Sequence, residues 1–102
     1  PDKPNPEGLI NLSKQLLGDK LGASNIPIAY VGDTIADINT VLNARKEVPS
    51  QKFISFGIAP PHLHLKSLLE ERIAYEKNLQ NAGADLILNS INDLNNINLT
   101  VF

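Results

Sequence analysis

Apolar residues recur at intervals of three and four in three stretches of the chain, which predicts amphipathic helices there. Asn5-Pro6-Glu7 gives the first helix an N-cap, a proline in its first turn and an acid near its positive end. The third helix is predicted over residues 63–82 and ends at Gly83, and a weaker helix follows from Ile91 to Leu99. The apolar positions of the three stretches are Leu9, Ile10, Leu12, Leu16 and Leu17; Ile35, Ile38, Val41 and Leu42; and Leu65, Leu68, Leu69, Leu79 and Ala82.

Three short apolar segments lie between these helices, at residues 26–31, 53–57 and 85–88. The first of them, at 26–31, is a continuous apolar run, which is typical of a strand buried on both faces, as in a parallel sheet. Pro27 must then lie at the start of its strand, where a missing N–H is tolerated. The alternation of helices and strands predicts an α/β fold of the three-layer Rossmann-like type, with about three parallel strands and helices on the faces of the sheet.

Composition excludes several classes of protein. The formal net charge is -2 and no basic run occurs, so we expect neither a nucleic-acid partner nor an anionic membrane surface. No apolar run approaches the length of about 18 residues that a membrane-spanning helix requires. The 102 residues contain no Cys, which excludes disulfides and thiolate zinc sites and fits a cytoplasmic protein.

The first predicted strand ends in a segment with two acidic residues, Gly32-Asp33-Thr34-Ile35-Ala36-Asp37. Gly32 lets the backbone turn tightly, and Asp33 and Asp37 are one helical turn apart, so both carboxylates can face one point. Two hard oxygen ligands suit Mg²⁺, which binds one or two carboxylates and keeps several waters. A structural role is equally compatible with the spacing, because Asp33 could cap the next helix while Asp37 lies in its first turn.

Lys3 belongs to an unusual segment, Lys3-Pro4-Asn5-Pro6. Pro4 restrains the lysine to extended backbone and Pro6 begins a helix directly afterwards. The lysine is therefore held at a defined loop position, from which its ammonium could meet a phosphate as a point charge.

Together the two segments resemble the haloacid dehalogenase-like (HAD) hydrolase superfamily, and most closely its phosphoglycolate phosphatase-type subfamily. In that family a Lys-Pro-x-Pro segment opens a helix, and a later strand ends in Gly-Asp-x-x-x-Asp. The segments at 83–88 and 90–94 are also similar to that family's last strand and helix. The resemblance covers most of the chain, so residues 1–102 correspond to the C-terminal part of the family's core domain.

The resemblance implies a role for each matching residue. Asp33 would bind Mg²⁺, and Asp37 would bind it directly or through water. Lys3 would neutralise charge between a nucleophilic aspartate and the phosphoryl group of a small phosphorylated metabolite. Gly32 and Thr34 would shape the loop. Metal and lysine would thereby offset the repulsion between two anions as phosphoryl transfer begins.

The family's nucleophile lies in an Asp-x-Asp segment upstream of the lysine, and this sequence contains no Asp-x-Asp. We therefore expect the chain to be inactive alone. It also contains no Met and begins Pro1-Asp2-Lys3-Pro4, which predicts a fragment, a processed product or the ordered part of something longer. In the family the strand that ends at Asp33 lies beside the nucleophile strand. The strand at 26–31 should then present a bare apolar edge, to be covered by the missing N-terminal half, a second polypeptide or another copy.

Two alternatives stay open from the sequence. His62 and His64 form His-x-His, but without a third obvious ligand they are best interpreted as part of a polar loop, with one histidine able to line the mouth of the site. A non-catalytic binding or regulatory module with the same fold is the alternative function. A response-regulator receiver is disfavoured because its lysine follows its acids, whereas Lys3 precedes them.

Overall fold

Four parallel strands, β1 (Ile28–Gly32), β2 (Phe53–Ile58), β3 (Leu86–Leu88) and β4 (Thr100–Val101), form one sheet in the order β3-β2-β1-β4. The structure is a computed structural model that describes residues 4–23, 26–96 and 100–101. The α-helices are α1 (Glu7–Leu17), α2 (Ile35–Glu47) and α3 (Leu69–Ala82). The predicted α/β fold with a parallel sheet is confirmed.

The three α-helices pack on the same face of the sheet. Ile28 and Phe53 point towards α1 and α2, and Gly57, two pleats along β2 from Phe53, lies against Leu79 of α3. Because β1, β2 and β3 advance in one direction across the sheet, crossovers of one hand place their helices on one face. The arrangement among the described residues is therefore two-layered, where the sequence predicted three layers.

The opposite face of the sheet has its own apolar cluster. Ala29, Phe56 and Leu88 are its buried members, and Leu94 from a 3-10 helix at Ile91–Asn96 packs against them. These positions alternate with the helix-facing ones, as the pleat of a strand requires. The continuous apolar runs of the sequence therefore reflect burial on both faces, although the cover differs between the faces.

Two of the predicted helices have different bounds in the structure. The helix predicted at 63–82 begins at Leu69, after two 3-10 turns at Pro61–His64 and Lys66–Leu68. The weak helix predicted from Ile91 is a 3-10 helix to Asn96, and residues 97–99 lie outside the described residues.

Within the described part of the chain, no helix combines the length and apolar character needed to cross a membrane.

The end of α3 follows its sequence signal, whereas the N-cap of α1 is one residue later than predicted. Asn5 precedes the N-cap Pro6, but its Oδ1 accepts the N–H of Glu7 at 2.9 Å, so it still satisfies a free donor of the first turn. Gly83 ends α3 with φ 122°, and the Gly83 N–H donates to the carbonyls of Leu79 and Gln80. The predicted glycine C-cap is confirmed.

β4 pairs with the edge of β1 that the sequence predicted to be bare. Ile28 aligns with Thr100 and Ala29 with Val101, both in parallel register. The chain's own last described residues thus cover two positions of β1, a source of cover that the sequence analysis did not consider. A strand from elsewhere, as the resemblance implies, stays a prediction.

Candidate functional site

An open cleft lies at the carboxyl ends of β1, β2 and β3, where ligands bind in parallel α/β sheets. Its volume is about 450 Å³, and each of the three strands contributes the residues that follow it. The lining residues are Asp33, Ile58, Ala59, Pro60, Pro61, His64, Asn89, Ser90 and Ile91. A second cavity of about 580 Å³ between α3 and β3 contains none of the predicted site residues, so we place the candidate site in the cleft.

Asp37 is the best-connected polar side chain near the cleft. It is 1% exposed, and its carboxylate accepts four hydrogen bonds from described residues. Oδ2 accepts the backbone N–H of Asp33 at 3.0 Å, the N–H of Thr34 at 3.1 Å and the Thr34 hydroxyl at 2.9 Å. Oδ1 accepts the Tyr30 hydroxyl at 3.2 Å. These bonds fix the loop between β1 and α2.

The same bonds make a capping box at the start of α2. Thr34 is the N-cap, and its hydroxyl accepts the N–H of Asp37 at 3.1 Å while the Asp37 carboxylate returns to the N–H of Thr34. The sequence interpretation of Asp37 as a first-turn acid is confirmed. The interpretation of Asp33 as the capping residue is wrong, because Thr34 caps the helix and leaves Asp33 in the loop.

Gly32 is required by the close approach of Asp37 to the backbone. A Cβ built on Gly32 would lie 2.1 Å from the Cβ and 2.6 Å from the Cγ of Asp37. Both atoms lie near the backbone of α2, so they cannot move aside independently. The glycine predicted to shape the loop therefore makes room for the buried carboxylate.

Asp33 has a different environment from Asp37, although the two are four residues apart. It is partly buried and lines the cleft, and its carboxylate has no hydrogen-bond partner among the residues that the structure describes. Its backbone N–H donates to Asp37 Oδ2, and its backbone carbonyl accepts the hydroxyl of Tyr75 from α3. The backbone of Asp33 is thus held at both polar groups, and its carboxylate is left to interact with a ligand.

Tyr75 connects α3 to the acidic loop, a contact that the sequence gives no local signal for. Burial raises the pKa of Tyr75 above its ordinary value of 10.0, and the negative charges of Asp33 and Asp37 raise it further. The phenol therefore stays protonated in the folded protein at pH values where a free tyrosine ionises. Its role in the site is to donate a hydrogen bond to the Asp33 backbone.

We expect Tyr75→Phe to lower the free energy of unfolding at pH 7 by about 1 kcal/mol, the value of one hydrogen bond. A raised folded pKa contributes stability below the unfolded pKa of about 10, and this is lost as pH rises through the folded pKa. The wild-type protein should therefore lose stability above about pH 10 faster than the variant. Urea unfolding of both proteins from neutral to alkaline pH measures this, and parallel curves would contradict it.

Two other segments of the cleft, around His64 and at residues 89–93, were not predicted as site residues from the sequence. His64 lines the cleft, and its Nε2 lies 2.8 Å from the Ala59 carbonyl, which fixes the ring, whereas His62 is exposed. Asp93 Oδ2 accepts the N–H groups of Asn89 and Ser90 at 3.1 Å each. Ser90 and Asp93 repeat the spacing of Thr34 and Asp37, a signal that could have predicted a second loop held by an aspartate.

Four of the five predicted site residues lie together in the structure, and the fifth lies outside the described residues. Gly32, Asp33, Thr34 and Asp37 form one loop at the end of β1, as expected. Lys3 lies outside the described residues. Within residues 4–23, 26–96 and 100–101, no group of three or more His, Asp or Glu side chains is arranged to hold a metal ion.

No protein-family model, curated protein or solved structure matches this chain significantly. The site is therefore interpreted from its own geometry and from the sequence resemblance.

Proposed function

We propose that this chain is the C-terminal part of a Mg²⁺-dependent HAD-like phosphatase that hydrolyses a small phosphate monoester. A carboxylate outside this chain would form a bond to phosphorus as the bond to the alcohol oxygen breaks, and water would then release orthophosphate from the aspartyl-phosphate. The observation that carries the proposal is the position of Asp33. Its carboxylate lies at the carboxyl end of β1, on the wall of the cleft, without a hydrogen-bond partner among the described residues.

The residues present fit a Mg²⁺ ion held through few protein ligands. Asp33 offers a hard oxygen ligand whose position is fixed by backbone bonds to Asp37 and Tyr75. The ion usually keeps several waters and takes one or two carboxylates together with substrate oxygens, so a site without three acidic residues is compatible with it. When bound, it would stabilise the charge that develops on the transferring phosphoryl group.

Within this proposal the two aspartates divide the work. Asp33 would be the direct ligand, and Asp37 would hold the loop that presents it. Oδ2 of Asp37 already accepts three hydrogen bonds, and direct coordination of the ion would break some of them. Asp37 would therefore contact the ion through a water molecule. By the resemblance, Lys3 would supply the positive charge that meets the phosphoryl group.

The proposed nucleophile strand would lie beside β1, on the edge where β4 now pairs with Ile28 and Ala29. Two strands cannot occupy the same edge, so β4 would have to leave or shift when that strand is added. The missing N-terminal half, or a partner that supplies it, is therefore expected to displace Thr100–Val101 from the sheet.

We expect Asp33→Asn to abolish Mg²⁺ binding while leaving the fold intact. NMR titration of this chain with MgCl₂ should shift the amides of Gly32 and Asp33 in the wild type and not in the variant. In the complete protein, the same change should remove Mg²⁺-dependent hydrolysis of phosphate esters. Asp19→Asn is the matched control, since Asp19 is an exposed acid of a 3-10 helix, and it should behave as wild type. Unchanged Mg²⁺ binding in Asp33→Asn would overturn the metal assignment.

The second candidate is a non-catalytic binding module with the same fold. The observation in its favour is that Thr34 and Asp37 form a capping box, a structural role that needs no ligand. The two functions differ in one outcome: a complete protein that binds Mg²⁺ through Asp33 but releases no phosphate from any ester would be such a module.

A further inference from the structure

We infer that the cleft beside Asp33 binds a neutral, largely apolar group, and that it excludes groups with a negative charge. This inference deepens the proposed function, on which it rests for one point: the group would be the alcohol part of the phosphate monoester. The walls and charges of the cleft do not depend on that function.

The walls of the cleft are apolar and held in place by the backbone. Ile58 ends β2, where it pairs with Leu88 of β3, and Ala59 is 2% exposed. Pro60 and Pro61 follow, and each fixes its own φ, so this wall is formed before a ligand arrives. Ile91 also lines the cleft and is 56% exposed. Covering this side chain with an apolar group would remove apolar surface from water, which favours binding.

The charge of the cleft points to a neutral occupant. Asp33 is its only charged lining residue, and no Lys or Arg lines it within the described part of the chain. Arg72 reaches the cleft residue Asn89 from α3, but its Nε also pairs with Glu76 Oε2 at 3.1 Å. In the proposed function Mg²⁺ and Lys3 are taken up by the phosphoryl group, so a second anionic group on the ligand would be desolvated without a cationic partner among the described residues.

The polar side chains of the cleft can accommodate an uncharged hydroxyl or carbonyl group. Asn89 and Ser90 carry amide and hydroxyl groups, each able to donate and accept hydrogen bonds. When neutral His64 donates its Nε2–H to the Ala59 carbonyl, Nδ1 becomes an acceptor. These groups would orient an alcohol or a phenol without requiring a charge.

The probes that test this are benzyl alcohol, phenyl phosphate and 2-phosphoglycolate, titrated into this chain with and without Mg²⁺ and followed by NMR. Benzyl alcohol should shift the amides of Ile58, Ala59 and Ile91 without Mg²⁺, and phenyl phosphate should do so more strongly with it. Because an unpaired anion is costly to desolvate, 2-phosphoglycolate should bind at least about tenfold more weakly than phenyl phosphate. Equal affinity for the two esters, or cleft amides that benzyl alcohol does not shift, would overturn the inference.

A pair of lysine substitutions supplies the specificity test. Ile91→Lys places a cation in the cleft and should weaken benzyl alcohol binding while strengthening 2-phosphoglycolate binding by about tenfold, since the second anion gains a partner. Leu86→Lys is the matched control, because Leu86 is 57% exposed but lies at the start of β3, outside the cleft. It should leave both affinities unchanged. Equal effects of the two substitutions would show a general charge effect and contradict the assignment of the cleft.

The failure of this inference and the failure of the proposed function give different results. If Asp33→Asn leaves phenyl phosphate binding unchanged in Mg²⁺ while benzyl alcohol still shifts the cleft amides, the metal site fails and the cleft stands. If Asp33→Asn removes the Mg²⁺ effect but Ile91→Lys changes no affinity, the metal site stands and the apolar cleft fails.

Discussion

Replacing Asp37 with alanine should destabilise the protein by about 3 kcal/mol, because several part-buried donors lose one shared, buried acceptor at once. The N–H groups of Asp33 and Thr34 and the hydroxyl of Tyr30 all donate to this carboxylate, which is 1% exposed. The substitution also removes one half of the capping box of α2. Urea unfolding in the absence of Mg²⁺ measures the effect without any contribution from metal.

Asp93→Ala is the matched control for this prediction. Asp93 performs the same local task, since its Oδ2 accepts two backbone N–H groups, but it is exposed to solvent. Water can replace the lost bonds there, so its loss should cost about 1 kcal/mol. If the two substitutions cost the same without Mg²⁺, the bonds of Asp37 would contribute little to folding, and its predicted metal role would become the main reason for an acid at this position.

Gly32→Ala should be the second large effect, with a loss of about 3 kcal/mol or failure to fold. The added Cβ would meet the Cβ of Asp37 at 2.1 Å, a distance at which one of the two backbones must move. Movement of α2 or β1 would disturb the bonds from Asp33 and Thr34 to Asp37, so the loop and the helix cap should fail together. Thermal unfolding followed by circular dichroism gives the measurement.

Gly8→Ala separates this steric effect from the general cost of changing a glycine. Gly8 lies in α1, and a Cβ built on it has no heavy atom within 4 Å. Alanine is favoured over glycine in helices by up to about 1 kcal/mol, so this variant should be as stable as wild type or more stable. A wild-type melting temperature for Gly32→Ala would show that the loop can relax and that close packing against Asp37 is not required.

The residues of these two predictions, Asp37 and Gly32, lie in the same loop as Asp33. In the proposed function this one loop would both stabilise the fold and bind a ligand. Asp37 and Gly32 act inward, on the packing of α2 against β1, and Asp33 acts outward, on the cleft. Substitutions at the inward positions should change stability without Mg²⁺. Substitution of Asp33 should change Mg²⁺ binding without a large change in stability.

The secondary structure was largely readable from local patterns, because burial imposes a period on each element. The predicted strands at 53–57 and 85–88 match β2 and β3 to within one residue at each end, and Gly83 ends α3 as expected. The start of α3 was wrong by several residues, since the apolar spacing of Leu65 and Leu68 is compatible with both helical and 3-10 turns. Periodicity does not distinguish hydrogen-bond patterns that differ by one residue.

The candidate site was predicted only in part from the sequence. The grouping of Gly32, Asp33, Thr34 and Asp37 follows from their separation along the chain, and the structure places them in one loop. The sequence could not show that the Asp37 carboxylate accepts hydrogen bonds within the loop, whereas the Asp33 carboxylate faces the cleft without a hydrogen-bond partner among the described residues. Three of the four bonds to Asp37 come from Asp33 and Thr34 in the loop itself. The contribution from far along the chain is that of Tyr75, 42 residues beyond Asp33, whose hydroxyl donates to the Asp33 backbone carbonyl.

By itself the sequence determined the parallel α/β arrangement, the order of its elements and the position of the acidic loop, because hydrophobic period, glycine and capping preference act over a few neighbouring residues. Only the tertiary structure decided which face carries the helices, that β4 pairs with β1, and that Pro60, His64 and Ile91 meet Asp33 in one cleft. These features join residues far apart in the chain, and their contacts form only when the strands are aligned in the sheet.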